Sequence, residues 1–289
     1  MDHLQRSRLN LFSSRTLDRA AFLRPAETQL VEIINGPSSL FVPILDTNVL
    51  VNLEDARCTA GLLDARELRE CFGHCEEHIY LGQGDGTHYF GVVVGKESTR
   101  PGEFVDLRTY AAVLDEYQAA LLSYARAMVI WRNNHRYCGA CGAPTRPRLG
   151  GHVLKCSQRG CGREHYPRTD PAIIVLVEKG ERALFGRKAE WPENRYSTVA
   201  GFVEPGESAE QAVIREVAEE TGVEVTALHY HSSQPWPFPG SLMLGYTATA
   251  GNDAISLNDK ELEDARWLTR TQITEKLARG EFQLPTSIS

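Results

Sequence analysis

The 289-residue sequence lacks any uninterrupted apolar run long enough to cross a bilayer as a helix. Its opening, "MDHLQRSRLN", is not followed by the apolar core of a secretory signal. The chain therefore reads as soluble and cytoplasmic, with no membrane partner. Positive charge is also in short supply: 31 lysines and arginines stand against 38 aspartates and glutamates, for a formal net charge of -7. That balance argues against a broad basic surface for nucleic acid, although local basic patches remain compatible with it. Internal repeats and low-complexity segments are absent, so repeat arrays are excluded. An odd count of seven cysteines without secretory features argues against a disulfide framework.

The length suits one large domain or two smaller ones. Short apolar stretches, "SLFVPILDTNVLV" (39–51) and "HYFGVVVG" (88–95), separated by polar and glycine-containing turns, predict strands of a small α+β domain over 1–105. Cys58, Cys71 and Cys75 there read as structural thiols, with Cys71, His74 and Cys75 a weaker second metal candidate. From Asp106 to Trp131 glycine and proline are missing. Leu114, Tyr117, Leu121, Tyr124 and Met128 recur at helical intervals, which predicts one amphipathic connecting helix within 106–134.

The composition then changes at "RNNHRYCGACG". Cys138 and Cys141 form C-x2-C, and Cys156 and Cys161 form C-x4-C, within a segment bounded at 135–168. Four thiolates around a short loop can close a tetrahedral zinc site, with free or disulfide-paired cysteine as the bland alternative. Four sulfurs would fill the coordination shell, so this zinc is structural and catalysis lies elsewhere.

Beyond it, 169–289 reads as a mixed α/β domain. Strands are expected at 172–178, 182–187, 197–200, 241–250 and 264–269, with a helix packed on the sheet. That helix lies in "GFVEPGESAEQAVIREVAEETGV" (201–223). Ser208 and Gln211 have the spacing of a capping box, and Gly222 is placed to end the helix. Glu216, Glu219 and Glu220 fall on one side near its carboxyl end, where like charges repel and the helix dipole disfavours anions. An exposed acidic face is one reading; a bound divalent cation explains the placement better, and carboxylate oxygens suit magnesium or manganese.

With Gly201, Glu207, Arg215, Glu216, Val217, Glu219, Glu220, Gly222 and Val223 all at fixed spacing, the segment resembles the signature of the Nudix hydrolase family, G-x5-E-x7-R-E-(aliphatic)-x-E-E-x-G-(aliphatic). The resemblance implies a Nudix α/β/α sandwich preceded by the zinc ribbon and the smaller α+β domain. It further implies that Glu216 and Glu220 hold magnesium or manganese, that Glu219 assists the metal or the water, that Ala200 offers a backbone carbonyl, and that Glu207 pairs with Arg215. Glu261, in "DKELEDARW", matches a further acidic ligand of the family, with Asp259, Glu263 and Asp264 as nearby surface charges for comparison.

The loop "SQPWPFPGS" (233–241) is proline-stiffened around Trp236 and Phe238. It resembles the SQPWPFPxS signature of the NADH pyrophosphatases, which also remove NAD caps from RNA. That likeness implies hydrolysis of NAD(H) to nicotinamide mononucleotide and AMP, and of NAD-capped RNA to a 5′-monophosphate end. The implied substrate site comprises Tyr166, Phe202, Gln234, Pro235, Trp236, Pro237, Phe238, Pro239, Gly240, Ser241, Glu261 and Ser289. Tyr166 and Phe202 would sandwich a base across a homodimer.

Two departures from the family pattern bear on this reading. The second knuckle is two residues longer than C-x2-C, and the sequence stops near Ser289 where related enzymes continue into a terminal helix, an expected cause of weakened activity. Competing readings are a Nudix hydrolase of ADP-ribose or other nucleoside diphosphate derivatives and, from a different class, a zinc-ribbon RNA-binding protein using Arg146, Arg148, Arg159 and Arg163.

Overall fold

Among the described residues the strands form three sheets, two of six strands and one of three. The computed structural model describes residues 1–13, 17–54, 57–75, 77–95, 102–257, 261–286 and 288; Asp259 and Ser289 lie outside them. The chain divides into two units, one of residues 11–169 with 235–240, the other of residues 1–10, 170–234 and 241–289. Helix α1 (His3–Arg8) belongs to the second of these. No helix among the described residues is long and apolar enough to cross a membrane.

In the unit of residues 11–169, helix α2 (Glu27–Ile34) precedes β1 (Ser39–Leu45) and β2 (Asn48–Glu54). Then come β3 (Arg57–Ala60), helix α3 (Ala65–Phe72), β4 (His78–Gly84), β5 (Thr87–Val93) and β6 (Glu103–Val105). The strand order is β3-β2-β1-β5-β4, with β6 paired to β2. The β1 strand runs parallel to β5 and antiparallel to β2, and Phe41, Leu63, Tyr80 and Phe90 fill the core beneath it.

The expected single helix over 106–131 is broken. A four-residue helix α4 (Leu107–Tyr110) and a 3-10 turn come first; Leu114 is extended, and helix α5 (Glu116–Asn134) starts anew. The cause is local. Asp115 caps α5 by accepting a hydrogen bond from the Gln118 backbone N–H at 2.8 Å, a cap worth roughly 1 kcal/mol. Nor is α5 amphipathic: Leu121, Leu122, Ala125, Met128, Val129 and Trp131 are all buried, and the helix packs on β1, β4 and β5 as a core element.

The three-stranded ribbon follows: β7 (Thr145–Arg148), β8 (Val153–Cys156) and β9 (Glu164–His165). Its hairpin turn meets the first sheet at Gly150 and Gly151, with φ of 60° and 87°. A Cβ added at Gly151 would stand 3.1 Å from the Ile79 side chain, so glycine serves both the left-handed turn and the close approach.

The other unit carries the second six-stranded sheet. Its elements are β10 (Asp170–Lys179), β11 (Arg182–Arg187), β12 (Val199–Phe202), helix α6 (Ala209–Thr221), β13 (Val225–Trp236), β14 (Ser241–Ala250), β15 (Asp264–Thr269) and helix α7 (Arg270–Ala278). The order is β13-β14-β10-β11-β15, with β12 paired to β10. The strand expected at 197–200 is shifted: β12 runs on through Gly201 to Phe202, because Ala172 and Ile173 of β10 continue the pairing. Ile173, Val175 and Val177 of β10 point into a core shared with Ala212, Val213 and Val217 of α6, which seats the acidic helix on the sheet. The molecule thus contains the small α+β domain, the cysteine-rich ribbon and the α/β/α module.

Candidate active site and metal centre

The acidic helix begins where Ser208 and Gln211 close a reciprocal capping box, and it ends at Gly222, whose φ of 69° is the left-handed cap. Between these ends Arg215 organises the carboxylates. Its guanidinium holds Glu207 in a two-pronged pair at 2.8 and 2.9 Å, the pair that the family resemblance implied. It also reaches Glu216 Oε1 at 2.9 Å, Glu219 Oε2 at 3.1 Å and the Phe202 carbonyl at 3.0 Å. One arginine therefore ties the preceding loop, the strand end and two acids of the helix together. The Glu207 carboxyl is held down to about 2, first by its hydrogen bonds from Arg215 and then by the Glu204 backbone N–H.

Glu220 is 2% exposed, whereas Glu219 faces solvent. Burial pushes the Glu216 carboxyl up. Arg215 offsets that push, and the charges of Glu219 and Glu261 reinforce it. Glu216 lies directly against the strand end: a Cβ on Gly201 would fall 1.9 Å from its carboxyl, so the glycine is the space that Glu216 occupies.

Glu261 accepts from Lys188 Nζ at 2.9 Å. Burial works against the Lys188 ammonium, but the hydrogen bond to Glu261 and the charges of Glu261, Glu220 and Glu190 outweigh it and raise its pKa. Glu216, Glu220 and Glu261 thus share one electrostatic neighbourhood, ringed by Arg215 and Lys188. The comparison acids serve other partners: Glu263 pairs with Arg187 at 2.6 Å, and Asp264 accepts from the Tyr196 hydroxyl at 2.5 Å. Ala200, the carbonyl candidate, sits in β12 opposite Ile174. Lys188 was invisible to the sequence reading; its only signal is a position just beyond strand β11.

Glu216, Glu220 and Glu261 present only carboxylate oxygens, the ligands that hard dications favour. Among the described residues, however, the ligand atoms drawn close enough together to hold a metal are those of the ribbon cysteines, and these three acids are not gathered in that way.

Within the ribbon, the ligand atoms of Cys138, Cys141, Cys156 and Cys161 all lie within 4.8 Å of one another, a cluster positioned to chelate a metal. The Cys141–Cys156 and Cys138–Cys161 sulfurs are 3.4 and 3.8 Å apart. A tetrahedron with metal–sulfur bonds of about 2.3 Å has edges of about 3.8 Å, so the spacing suits zinc. The longer second knuckle is absorbed by a tight turn in which Cys161 and Gly162 both donate backbone N–H groups to the Gln158 carbonyl. The Cys138 thiol is lowered to about 6 by the Ala140 backbone N–H and by His165, whose Nε2 lies 3.4 Å from the sulfur. Burial and the neighbouring sulfurs push the Cys156 thiol up, so a metal binding there would have to displace its proton. Among the described residues no second metal cluster forms around Cys71, His74 and Cys75.

The remaining site candidates fall in both units. Tyr166 is 59% exposed and donates its hydroxyl to Glu164 at 2.8 Å. Phe202 is 60% exposed at the end of β12. Gln234 donates its side-chain amide to the Ile288 carbonyl at 3.0 Å, and Ser241 is buried at the start of β14. Pro235–Gly240 is grouped with residues 11–169: Trp236 and Phe238 pack edge to face at 5.3 Å, and Phe12 packs on both.

Three family models match consecutive parts of the chain: a NADH pyrophosphatase-like rudimentary NUDIX domain over residues 38–131, a NADH pyrophosphatase zinc ribbon domain over 133–166 and a NUDIX domain over 167–286. Curated relatives include the NAD-capped RNA hydrolase NudC of Stutzerimonas stutzeri, 43% identical over 188 residues, covering 65% of this chain and 67% of that one. The NAD-capped RNA hydrolase NudC of Mycobacterium bovis is 40% identical over 230 residues, 74% of this chain and 72% of its own. The chloroplastic Nudix hydrolase 19 of Arabidopsis thaliana is 42% identical over 193 residues, 62% of this chain and 44% of its own.

Proposed function

The chain belongs to the Nudix hydrolase family, and from that premise we propose that it hydrolyses the pyrophosphate of NAD(H) to nicotinamide mononucleotide and AMP, and the NAD cap of RNA to leave a 5′-monophosphate end. The observation that carries the chemistry is the shared neighbourhood of Glu216, Glu220 and Glu261, with Glu220 almost fully buried. The substrate assignment draws its support from the "SQPWPFPGS" loop and from relatives that bear the name NAD-capped RNA hydrolase.

Magnesium or manganese, when bound, would neutralise phosphate oxygens and activate a water as nucleophile. The chain's own residues supply the rest. Glu216, Glu220 and Glu261, with the Ala200 carbonyl, would hold the cation. Glu219, exposed beside them and paired with Arg215, would help position the cation or take a proton from water on a carboxylate oxygen. Arg215 fixes the helix to the Glu207 loop, so that these acids keep their spacing. Tyr166 and Phe202 offer open ring faces to a base, and stacking on them tolerates different first nucleotides of an RNA. We further propose zinc as the metal of the four-thiol ribbon, a homodimer as the working form and the cytoplasm as its compartment.

The test is the product spectrum from NADH, NAD and a short NAD-capped RNA with magnesium or manganese, run beside a Glu220→Gln control. Release of nicotinamide mononucleotide by the parent and not by the control is the expected result. Cleavage of ADP-ribose or other nucleoside diphosphate derivatives, with NAD substrates untouched, would replace the substrate assignment.

A further inference from the structure

A loop with three prolines is rich in acceptors and poor in donors. Pro235, Pro237 and Pro239 each contribute a carbonyl but no N–H, so the segment cannot hold itself by a ladder of backbone bonds. Donors must come from elsewhere in the fold.

They come from the unit formed by residues 11–169. Arg126, on the buried side of α5, is only 7% exposed. Its Nε donates to the Thr47 carbonyl, in the turn between β1 and β2, at 2.7 Å. One terminal nitrogen donates to the Pro237 carbonyl. The guanidinium carbon also lies 5.0 Å from the centre of the Phe238 ring. Arg108, exposed on α4, approaches Trp236 and Phe238 at 5.8 and 5.7 Å, and Phe12 meets the same two rings edge to face at 6.3 and 6.1 Å.

A buried guanidinium is a costly way to fill space, because apolar side chains of similar volume pack without desolvating a charge. What it adds is a rigid planar fork that binds two separate backbone carbonyls and leaves a face for an aromatic ring, which neither lysine nor methionine reproduces. Here the two carbonyls belong to the β1–β2 turn and to the proline loop.

We propose that Arg126 is a positioning residue for Pro235–Gly240, with Phe12 and Arg108 as its aromatic and cationic supports, so that the rudimentary domain sets how tightly substrate is held. The proposal rests on the reading that this loop binds substrate. It gives the region 38–131, which carries none of the acidic machinery, a direct part in recognition.

The experiment follows hydrogen exchange at the Trp236, Phe238 and Gly240 amides in the full chain, alongside steady-state NADH hydrolysis. The proteins are the parent, Arg126→Met, Arg126→Lys and Arg108→Gln. Loss of a charge-assisted bond should speed exchange at these amides about tenfold in Arg126→Met and raise KM about tenfold, with kcat within about threefold. Arg126→Lys, which keeps the charge but not the fork, should recover only part of the loss. Unchanged exchange in the loop with the rest of the fold intact would overturn the proposal. If Arg126→Met loosens the whole unit, Arg108→Gln decides: faster exchange confined to 236–240 supports the proposal, and none refutes it. If the parent does not cleave NADH while Arg126→Met still frees the loop, the positioning stands and the substrate reading falls.

Discussion

Strands β1 and β10 hold the same place in their two sheets. Each pairs antiparallel with the next strand, β2 or β11, and parallel with a later one, β5 or β14, beyond which lies β4 or β13. Each antiparallel neighbour takes a further antiparallel partner, β6 on β2 and β15 on β11, although β2 also pairs with β3 and in the other sheet β12 joins β10. Each sheet also has a helix opened by a capping box and closed by a positive-φ glycine, Asp64–Glu67 and Gly73 for α3, Ser208–Gln211 and Gly222 for α6.

The charges on these helices differ in kind. On α3, Arg66 and Glu70 form an i,i+4 pair at 3.9 Å with side chains 80% and 64% exposed, the sort of contact that contributes little. On α6, Arg215 pairs with Glu207 of the preceding loop at 2.8 Å with side chains 25% and 14% exposed, and Glu220 is buried outright. The frame is repeated and the chemistry is not. A cap, a glycine and a parallel strand pair suffice to build the scaffold, while the reaction depends on which acids are taken out of water on top of it.

The sharpest way to break this comparison is Glu220→Gln, which should lower metal-dependent turnover of NADH about a hundredfold or more, read as nicotinamide mononucleotide release. Gly201→Ala comes next. The new Cβ would displace the Glu216 carboxyl, and the expected result is about a tenfold fall in kcat with an unchanged far-ultraviolet spectrum, because a side-chain tip moves and the backbone does not.

Glu207→Gln tests the clamp through pH. The Glu207 pKa is depressed from 4.5 to about 2, so its contribution is present above 4.5 and disappears as pH falls towards 2. Melting curves should show the variant less stable than the parent at neutral pH, with the gap closing across that acid window. The smallest effect belongs to α3: Glu70→Gln should leave turnover within about twofold and melting nearly unchanged. A large loss there would mean the two helices are more alike than their burial suggests.

Much of the second sheet was legible from sequence. Strands 182–187, 241–250 and 264–269 match their observed bounds because apolar residues run between clear turns. The capping box and terminal glycine of α6 were legible for a similar reason, since caps act over three or four residues. The same rule exposes what was missed: Asp115 and Gln118 also have cap spacing, and a mid-segment Asp-x-x-Gln marks where α5 starts. Lys188 beside Glu261 and Arg126 beside Pro237 could not be read this way. Their partners lie 73 and 111 residues distant, and no local pattern encodes such a meeting.

The head of the chain has a similar long reach. Asn10 donates its side-chain amide to Ser232 Oγ at 3.3 Å and to the Ser233 carbonyl at 2.9 Å, while Ser7 accepts from the Ser233 backbone N–H at 3.3 Å. Asn10 and Ser232 are 222 residues apart. At ribosomal speeds of about 5–20 residues per second, Asn10 waits roughly ten to forty seconds for its partner to be made. The intervening sheet and ribbon can be assembled in that interval, so Asn10 finds its partners only after much of the chain between them has been made.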